Sequence, residues 1–246
     1  MGYSRSENVK SVKKKIKGNG LLVREPTFEW TAKQKIILDT MNDNNTDCVI
    51  VNALAGTGKT TLAVYSALQH LQRNQVEKVI YVRTAVEASH SKIGYLKGSM
   101  DEKFGPYAEI LYERAKDFLN PSEVDQFIKD GKFVALPISF LRGHDFKNCI
   151  VIGDEMQNAY LNEIMTLATR MSENSKLFIL ADDDQCDLPK NAQNEFSTFV
   201  SLFSDDASKE HDIHYFELKE EMDVMRSKFV RYISKKYRNH RKKLSS

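Results

Sequence analysis

The sequence predicts an α/β domain, a mostly parallel sheet with helices on both faces. Three observations carry that reading. Short apolar runs recur at 48–51, 79–82, 133–136, 149–152, 177–180 and 213–218. Three of them, at 48–51, 79–82 and 149–152, are rich in β-branched residues, and the first five lack polar alternation, as strands buried on both faces require. Stretches with helical spacing separate several of them. The first run also passes through a glycine turn directly into a helix, which is the start of a βαβ unit.

Composition agrees with one core domain. The 246 residues are 41% hydrophobic and 28% charged, which excludes a disordered chain and leaves enough apolar material for a sizeable core. Net charge is only +2, but it is unevenly placed. Lys10, Lys13, Lys14, Lys15 and Lys17 crowd the start, and no acidic residue follows Asp223. Residues 1–20 read as a flexible basic leader ending in Gly18-Asn19-Gly20, either a solvated tail or a nucleic-acid arm. The core domain is expected over 21–246. Cys48, Cys149 and Cys186 are far apart and form no CxxC, which argues against a zinc site or a disulfide framework. No apolar stretch is long enough for a membrane span and no signal-peptide pattern is present, so a soluble protein of a reducing compartment is expected.

Taken in order, Thr31 to Met41 reads as a helix. Thr31 and Gln34 have capping-box spacing, with Ile36, Ile37, Leu38 and Met41 behind them. The strand at 48–51 leads into Ala53-Leu54-Ala55-Gly56-Thr57-Gly58-Lys59-Thr60-Thr61. Leu62, Ala63, Val64, Ala67, Leu68 and Leu71 then follow at helical spacing. Strand, glycine turn and helix form the context of a phosphate-binding loop. Glycines let backbone N–H groups curl around an anion, and the helix adds the positive end of its dipole. The cradle would be Ala55, Gly56, Thr57, Gly58, Lys59, Thr60 and Thr61. Lys59 would reach the outer phosphates, and the Thr60 hydroxyl would bind Mg²⁺. Ala53 stands where the usual first glycine sits, and alanine disfavours positive φ there.

The second strand, Val79 to Val82, ends at Arg83-Thr84 on the edge where ligands gather in parallel sheets. Residues 84–132 read as a helical insertion, interrupted by Gly94, Gly98, Gly105 and Pro106. Helices are expected from Glu109 to Leu119 and from Pro121 to near Gly131. The fourth strand, Cys149 to Ile152, runs into Gly153-Asp154-Glu155-Met156-Gln157-Asn158. A carboxylate at the end of a buried strand suits Mg²⁺ opposite Thr60, and Glu155 could polarise an attacking water. Leu161 to Met171 reads as a helix. The fifth strand leads into Ala181-Asp182-Asp183-Asp184-Gln185. The three aspartates read as an Asx-rich turn. Gln185 can both donate and accept, so it could sense a γ-phosphate or a water. His211 and His214 have no cysteine or further histidine nearby and read as surface or packing residues. Val224 to Tyr237 is expected to be a closing basic helix.

Asp-Glu-Met-Gln-Asn at 154–158 and Ala-Asp-Asp-Asp-Gln-Cys-Asp-Leu-Pro at 181–189 resemble the PhoH-like (phosphate-starvation-inducible) P-loop ATPases. Those are similar to the first RecA-like domain of superfamily 1 helicases. Further matches are Val82-Arg83, Ala85-Val86-Glu87, Gly94-Tyr95-Leu96-Lys97-Gly98, Glu102-Lys103, Pro106-Tyr107, Leu141-Arg142-Gly143 and Asp223-Val224-Met225-Arg226-Ser227. The departures are Ala53 and Ala181 for glycines, Thr84 for proline, Met156 for alanine and His144 for arginine. The resemblance implies Mg²⁺-dependent ATP hydrolysis and a RecA-like sheet with the 177–180 strand between those at 48 and 149. It makes Gln34 the adenine-reading glutamine, and Gln157 and Gln185 the γ-phosphate-coupled ones. A helicase of this kind closes ATP between two such domains, the second supplying an arginine finger. The length suggests room for one, so a neighbouring copy is expected to complete the site. That copy implies a ring-like homo-oligomer, by analogy a hexamer, with Arg142, Arg170 and Arg226 as finger candidates. The expected partner is RNA or single-stranded DNA, and the expected location is the cytoplasm. Two other functions fit the motifs. One is an ATP-binding assembly switch working through 84–132. The other is a nucleoside kinase, although thymidine kinases that share Asp-Glu-x-Gln usually carry paired zinc cysteines, which this sequence lacks.

Overall fold

The six apolar runs become six parallel strands. The structure, a computed structural model, describes residues 21–84 and 100–245. The basic leader and the matches at 85–87 and 94–98 lie outside the described residues. The strands are β1 (Cys48–Ala53), β2 (Lys78–Arg83), β3 (Phe133–Pro137), β4 (Cys149–Asp154), β5 (Lys176–Ala181) and β6 (Ile213–Leu218). Their order is β3-β2-β4-β5-β1-β6. β5 therefore lies between β1 and β4, as the resemblance implied, with Cys48 opposite Leu177 and Ile150 opposite Lys176.

The period of two along each strand divides the core into two layers. On one face Val49, Val51, Tyr81, Ile152 and Phe178 pack beneath α1 (Ala32–Asn42), α2 (Lys59–Gln72), α3 (Met100–Lys116) and α4 (Pro121–Lys129). On the other, Ile50, Val82, Val151 and Ile179 pack beneath α5 (Leu161–Ala168) and α6 (Glu195–Phe203). Covering both faces forces near-continuous apolar strands, which is why those runs were easy to read. A short α7 (Asp206–Glu210) precedes β6, and α8 (Lys228–Ser245) closes the described chain.

α1 carries the expected capping box. Gln34 N–H donates to Thr31 Oγ1 (3.2 Å), and Thr31 N–H donates to Gln34 Oε1 (2.8 Å). α4 opens on Pro121 at its first helical position, where the missing N–H costs nothing. Three helices depart from the expected limits. α3 begins at Met100 and carries Gly105 and Pro106 in its interior; buried Leu111, Ala115 and Phe118 anchor it, and packing overrides local propensity. α5 stops at Ala168, because Met171 turns away to bridge Phe146. α8 starts at Lys228, because Met225 N–H is held by the Gly56 carbonyl (2.9 Å). α6 and α7 were not expected, although Phe196, Phe199, Val200 and Phe203 have helical spacing. Among the described residues no helix is long and apolar enough to cross a membrane.

Candidate functional site

The carboxyl ends of β1, β4 and β5 converge on the glycine turn after β1. Gly56 (φ 83°) and Gly58 (φ 78°) take the left-handed conformation that glycine allows without penalty. Ala53 does not need it. It is the last residue of β1, fully buried, and absent from the positive-φ positions, so alanine fits without strain. Leu54 N–H is fixed by the Leu218 carbonyl (3.0 Å), and Thr57 Oγ1 donates to the Leu54 carbonyl (2.8 Å). Gln34 adds a third support, its Nε2 donating to the Thr57 carbonyl at 2.7 Å. Gln34 is fully buried, with Oε1 on the helix cap and Nε2 shared between Thr57 and Met225 Sδ (2.8 Å). It ties α1, the loop and the chain before α8 together.

Asp154 sits at the tip of β4 with 3% exposure. Its Oδ2 accepts from Thr60 Oγ1 (2.9 Å) and Tyr81 OH (2.7 Å), and its Oδ1 from Glu155 N–H (3.0 Å). Burial and the Asp154 charge push the Tyr81 phenol far up, so Tyr81 remains a donor. Glu155 holds φ 58°, a conformation that costs a glutamate energy. Glu155 Oε2 accepts from Gln157 Nε2 (2.6 Å), and Gln157 Oε1 accepts from Asp182 N–H (2.9 Å). Gln157 thus spans the tips of β4 and β5.

Asp182 opens the expected Asx-rich turn, with Gln185 N–H on its carbonyl (2.9 Å), but its side chain is buried. It is 2% exposed, because it ends a buried strand. Oδ2 accepts from Ala55 N–H (2.7 Å) and from Gln185 Nε2 (2.9 Å), while Oδ1 is buried with no partner among the described residues. Burial pushes its carboxyl up, and the Lys59 charge opposes that. Gln185 is brought to the phosphate loop through Asp182. Asp183 instead accepts from Asn52 Nδ2 (3.0 Å) and pairs with Lys219 (2.7 Å).

The candidate arginines separate. Arg226 lies against the loop of its own chain: a Cβ added at Gly56 would meet Arg226 Cγ at 2.7 Å and Nε at 3.2 Å. Arg142 is exposed in the segment that returns from edge strand β3 to β4. Arg170 follows α5, and its carbonyl accepts from Phe146 N–H ahead of β4, at the edge away from the loop. A cavity of about 370 Å³ opens beside the loop, lined by Gly56, Lys59 and Thr60 together with Phe28, Trp30, Arg114 and Met225. A larger one, about 780 Å³, lies at the opposite edge around Cys48, Lys176 and Ile213 and includes no residue of the loop. The chemistry belongs to the smaller. Tyr81, Asp182 and Phe28–Trp30 were the site residues that the sequence hid. Only the position of Asp182 at a strand end pointed to it.

The donor set fits a magnesium-bound polyphosphate. The left-handed glycine turn, the first turn of α2 and Lys59 offer the positive lining, Asp154 with Thr60 offers the oxygen ligands, and the buried Asp182 Oδ1 is an acceptor without a donor among the described residues.

A family model described as "PhoH-like protein" matches residues 28–238. A PhoH-like protein of Bacillus subtilis is 33% identical over 192 residues, covering 78% of this chain and 57% of the relative. One from Mycobacterium tuberculosis is 32% identical over 207 residues, covering 84% and 56%. The chain spans a little over half the length of these curated relatives. Among solved structures, the UvsW helicase of bacteriophage T4 overlays with a TM-score of 0.49 at 13% identity, over 80% of this chain and 64% of that one.

Proposed function

The chain belongs to the PhoH-like family, and from that premise we propose that it is a Mg²⁺-dependent ATPase whose turnover is coupled to single-stranded nucleic acid, RNA above all. The observation that carries this is the Thr60–Asp154 contact: two motifs 94 residues apart meet at 2.9 Å, with Glu155 beside them. In this reading the loop N–H groups and Lys59 bind the phosphates, and Thr60 and Asp154 hold Mg²⁺. Mg²⁺, when bound, would neutralise charge on the transferred phosphoryl group. Glu155 takes up a proton from water at Oε1 or Oε2, oriented by Gln157. Gln185 reports on the outer phosphate through Asp182. Phe28 and Trp30, edge to face with centroids 4.7 Å apart, form the apolar wall of the base cavity.

The reading extends to a homo-oligomer in which Arg142, exposed at the surface, serves a neighbouring site. Sedimentation of the protein with and without ATP tests that part, and a monomer with full turnover would remove it. The central test is steady-state ATP hydrolysis with Mg²⁺, with and without single-stranded RNA or DNA, for the parent, Lys59→Ala and Glu155→Gln. Turnover that nucleic acid stimulates and both variants lose supports the reading. Turnover indifferent to nucleic acid overturns the coupling, and none at all overturns the activity.

A further inference from the structure

α8 stands apart from the core. Between Lys228 and Tyr237 its side chains are exposed except for half-buried Arg231 and Ser234. Phe229 is 71% exposed, Tyr232 60% and Tyr237 60%, proportions that large aromatic rings seldom reach without a partner. Positions 229, 232, 233, 236 and 237 fall on one helical stripe. Residues 228–245 hold eight lysines and arginines and no acidic residue. Among the described residues Lys235 is the one engaged in an ion pair, with Glu221 at 2.6 Å. Lys236 sits within the aromatic stripe, its Nζ 5.7 Å over the Tyr232 ring.

We propose that this face of α8 is the contact surface for single-stranded nucleic acid, with bases stacking on Phe229, Tyr232 and Tyr237 and phosphates neutralised by the lysines between and beside them. This rests on the nucleic-acid coupling proposed above and gives that coupling a place. Aromatic rings interleaved with cations are what a sequence-tolerant single-strand surface needs, because every base has a face to stack and every nucleotide a charge to meet. Phe229 and Tyr237 are separated by roughly 12 Å along the helix axis at 1.5 Å per residue, enough for successive bases. A membrane-inserting helix keeps its cations on the polar face, whereas Lys236 lies among the aromatic rings. A second copy would have to present an acidic surface to so concentrated a charge. α8 also begins immediately after Arg226, whose carbonyl accepts from Arg231 Nε (2.9 Å), so the surface is joined to the phosphate loop by one short segment.

The test uses the whole chain and fluorescein-labelled oligo-U and oligo-dT of about 20 nucleotides, a length suited to single-strand modules. Binding is read by anisotropy across a salt series, beside ATP hydrolysis without nucleic acid, sedimentation, and flotation with phosphatidylserine vesicles. The triple change Phe229→Ala, Tyr232→Ala and Tyr237→Ala is expected to weaken oligonucleotide binding about 10- to 100-fold while basal hydrolysis is unchanged. Tyr232→Phe with Tyr237→Phe keeps the rings and should keep binding. Lys228→Gln with Lys236→Gln should lower the salt slope by about 1.4, at 0.7 per lost phosphate contact. If the parent binds and the triple variant binds equally well, the place is wrong and the coupling stands. If an ATP-hydrolysing parent binds neither oligonucleotide, the coupling fails and this surface with it. If the triple change alters sedimentation or vesicle flotation but not oligonucleotide binding, α8 is an oligomer or membrane contact instead.

Discussion

Glu155 is strained and Asp182 is buried, and each condition suits a task. A glutamate at φ 58° costs about 1 kcal/mol relative to a glycine there, so the position trades stability for the aim of one carboxylate. Glu155→Gly should therefore abolish hydrolysis while stability is unchanged or rises by up to about 1 kcal/mol. Urea denaturation beside an ATPase assay checks this, and a clear loss of stability would mean that the Gln157 contact, not the backbone, governs the residue. Asp182 works the other way. Asp182→Ala would leave the Ala55 N–H and the Gln185 amide without their acceptor, at a cost of about 1–3 kcal/mol. The same unfolding measurement decides it, and a change within error would show that water replaces the carboxylate. Sequence reasoning reached Glu155 from its neighbour Asp154 but left Asp182 in an Asx-rich turn, because three consecutive aspartates do not show which of them the sheet buries.

Elements whose own pattern decides their shape were legible. β1 and the start of α1 stand where periodicity and the capping box put them, since burial on both faces or a local cap leaves little freedom, and half-buried β6 at the sheet edge also keeps its expected limits. α3 and α8 were misjudged at their ends because distant contacts set them. The end of α2 shows what such contacts do to a side chain. His70 is 1% exposed, its Nε2 meets the Met41 carbonyl at 3.1 Å, and burial pulls its pKa from 6.5 down to about 4. The folded state holds this proton less tightly than the unfolded chain does. The contribution is therefore complete above pH 6.5 and is lost as pH falls toward 4, on the order of 3 kcal/mol in all. Urea midpoints measured from pH 7.5 to 4.5 should drop more steeply in the parent than in His70→Gln. Equal slopes would assign the acid sensitivity to other groups. The turn after β1 gives the counterpart for the site. Gly56→Ala would combine a left-handed alanine with a 2.7 Å approach to Arg226 Cγ. Displacement of Arg226 and loss of Mg²⁺-ATP binding by at least about tenfold are expected by calorimetry, from strain of about 1–2 kcal/mol placed in the loop itself.

Across the whole molecule, the segment before α8 connects nucleotide chemistry to the basic helix. Lys33 on α1 pairs with Glu220 (2.7 Å) and with the 3%-exposed Asp223 (3.5 Å). Asp223 Oδ2 accepts from Glu220 N–H (2.9 Å), and Met225 N–H then reaches the Gly56 carbonyl. Residues 220–226 are therefore clamped between the first helix and the phosphate loop, and α8 leaves from the end of the clamp. Anything that settles on the loop must either share Arg226 with Gly56 or move it, and moving it moves the root of α8. Hydrogen exchange with and without Mg²⁺ and a slowly hydrolysed ATP analogue should then show altered protection at 220–231 as well as at 55–61. Lys176 offers an internal reference at the far edge. Its ammonium is bound to the carbonyls of Asp43 (2.7 Å) and Thr46 and touches nothing in the site. Amides 44–47 and 174–177 should exchange equally in both states. Protection confined to 55–61 would mean that the nucleotide is read only locally and that α8 acts as a passive arm, whereas a change at both ends of the clamp would identify residues 220–226 as the mechanical link between the loop and the helix.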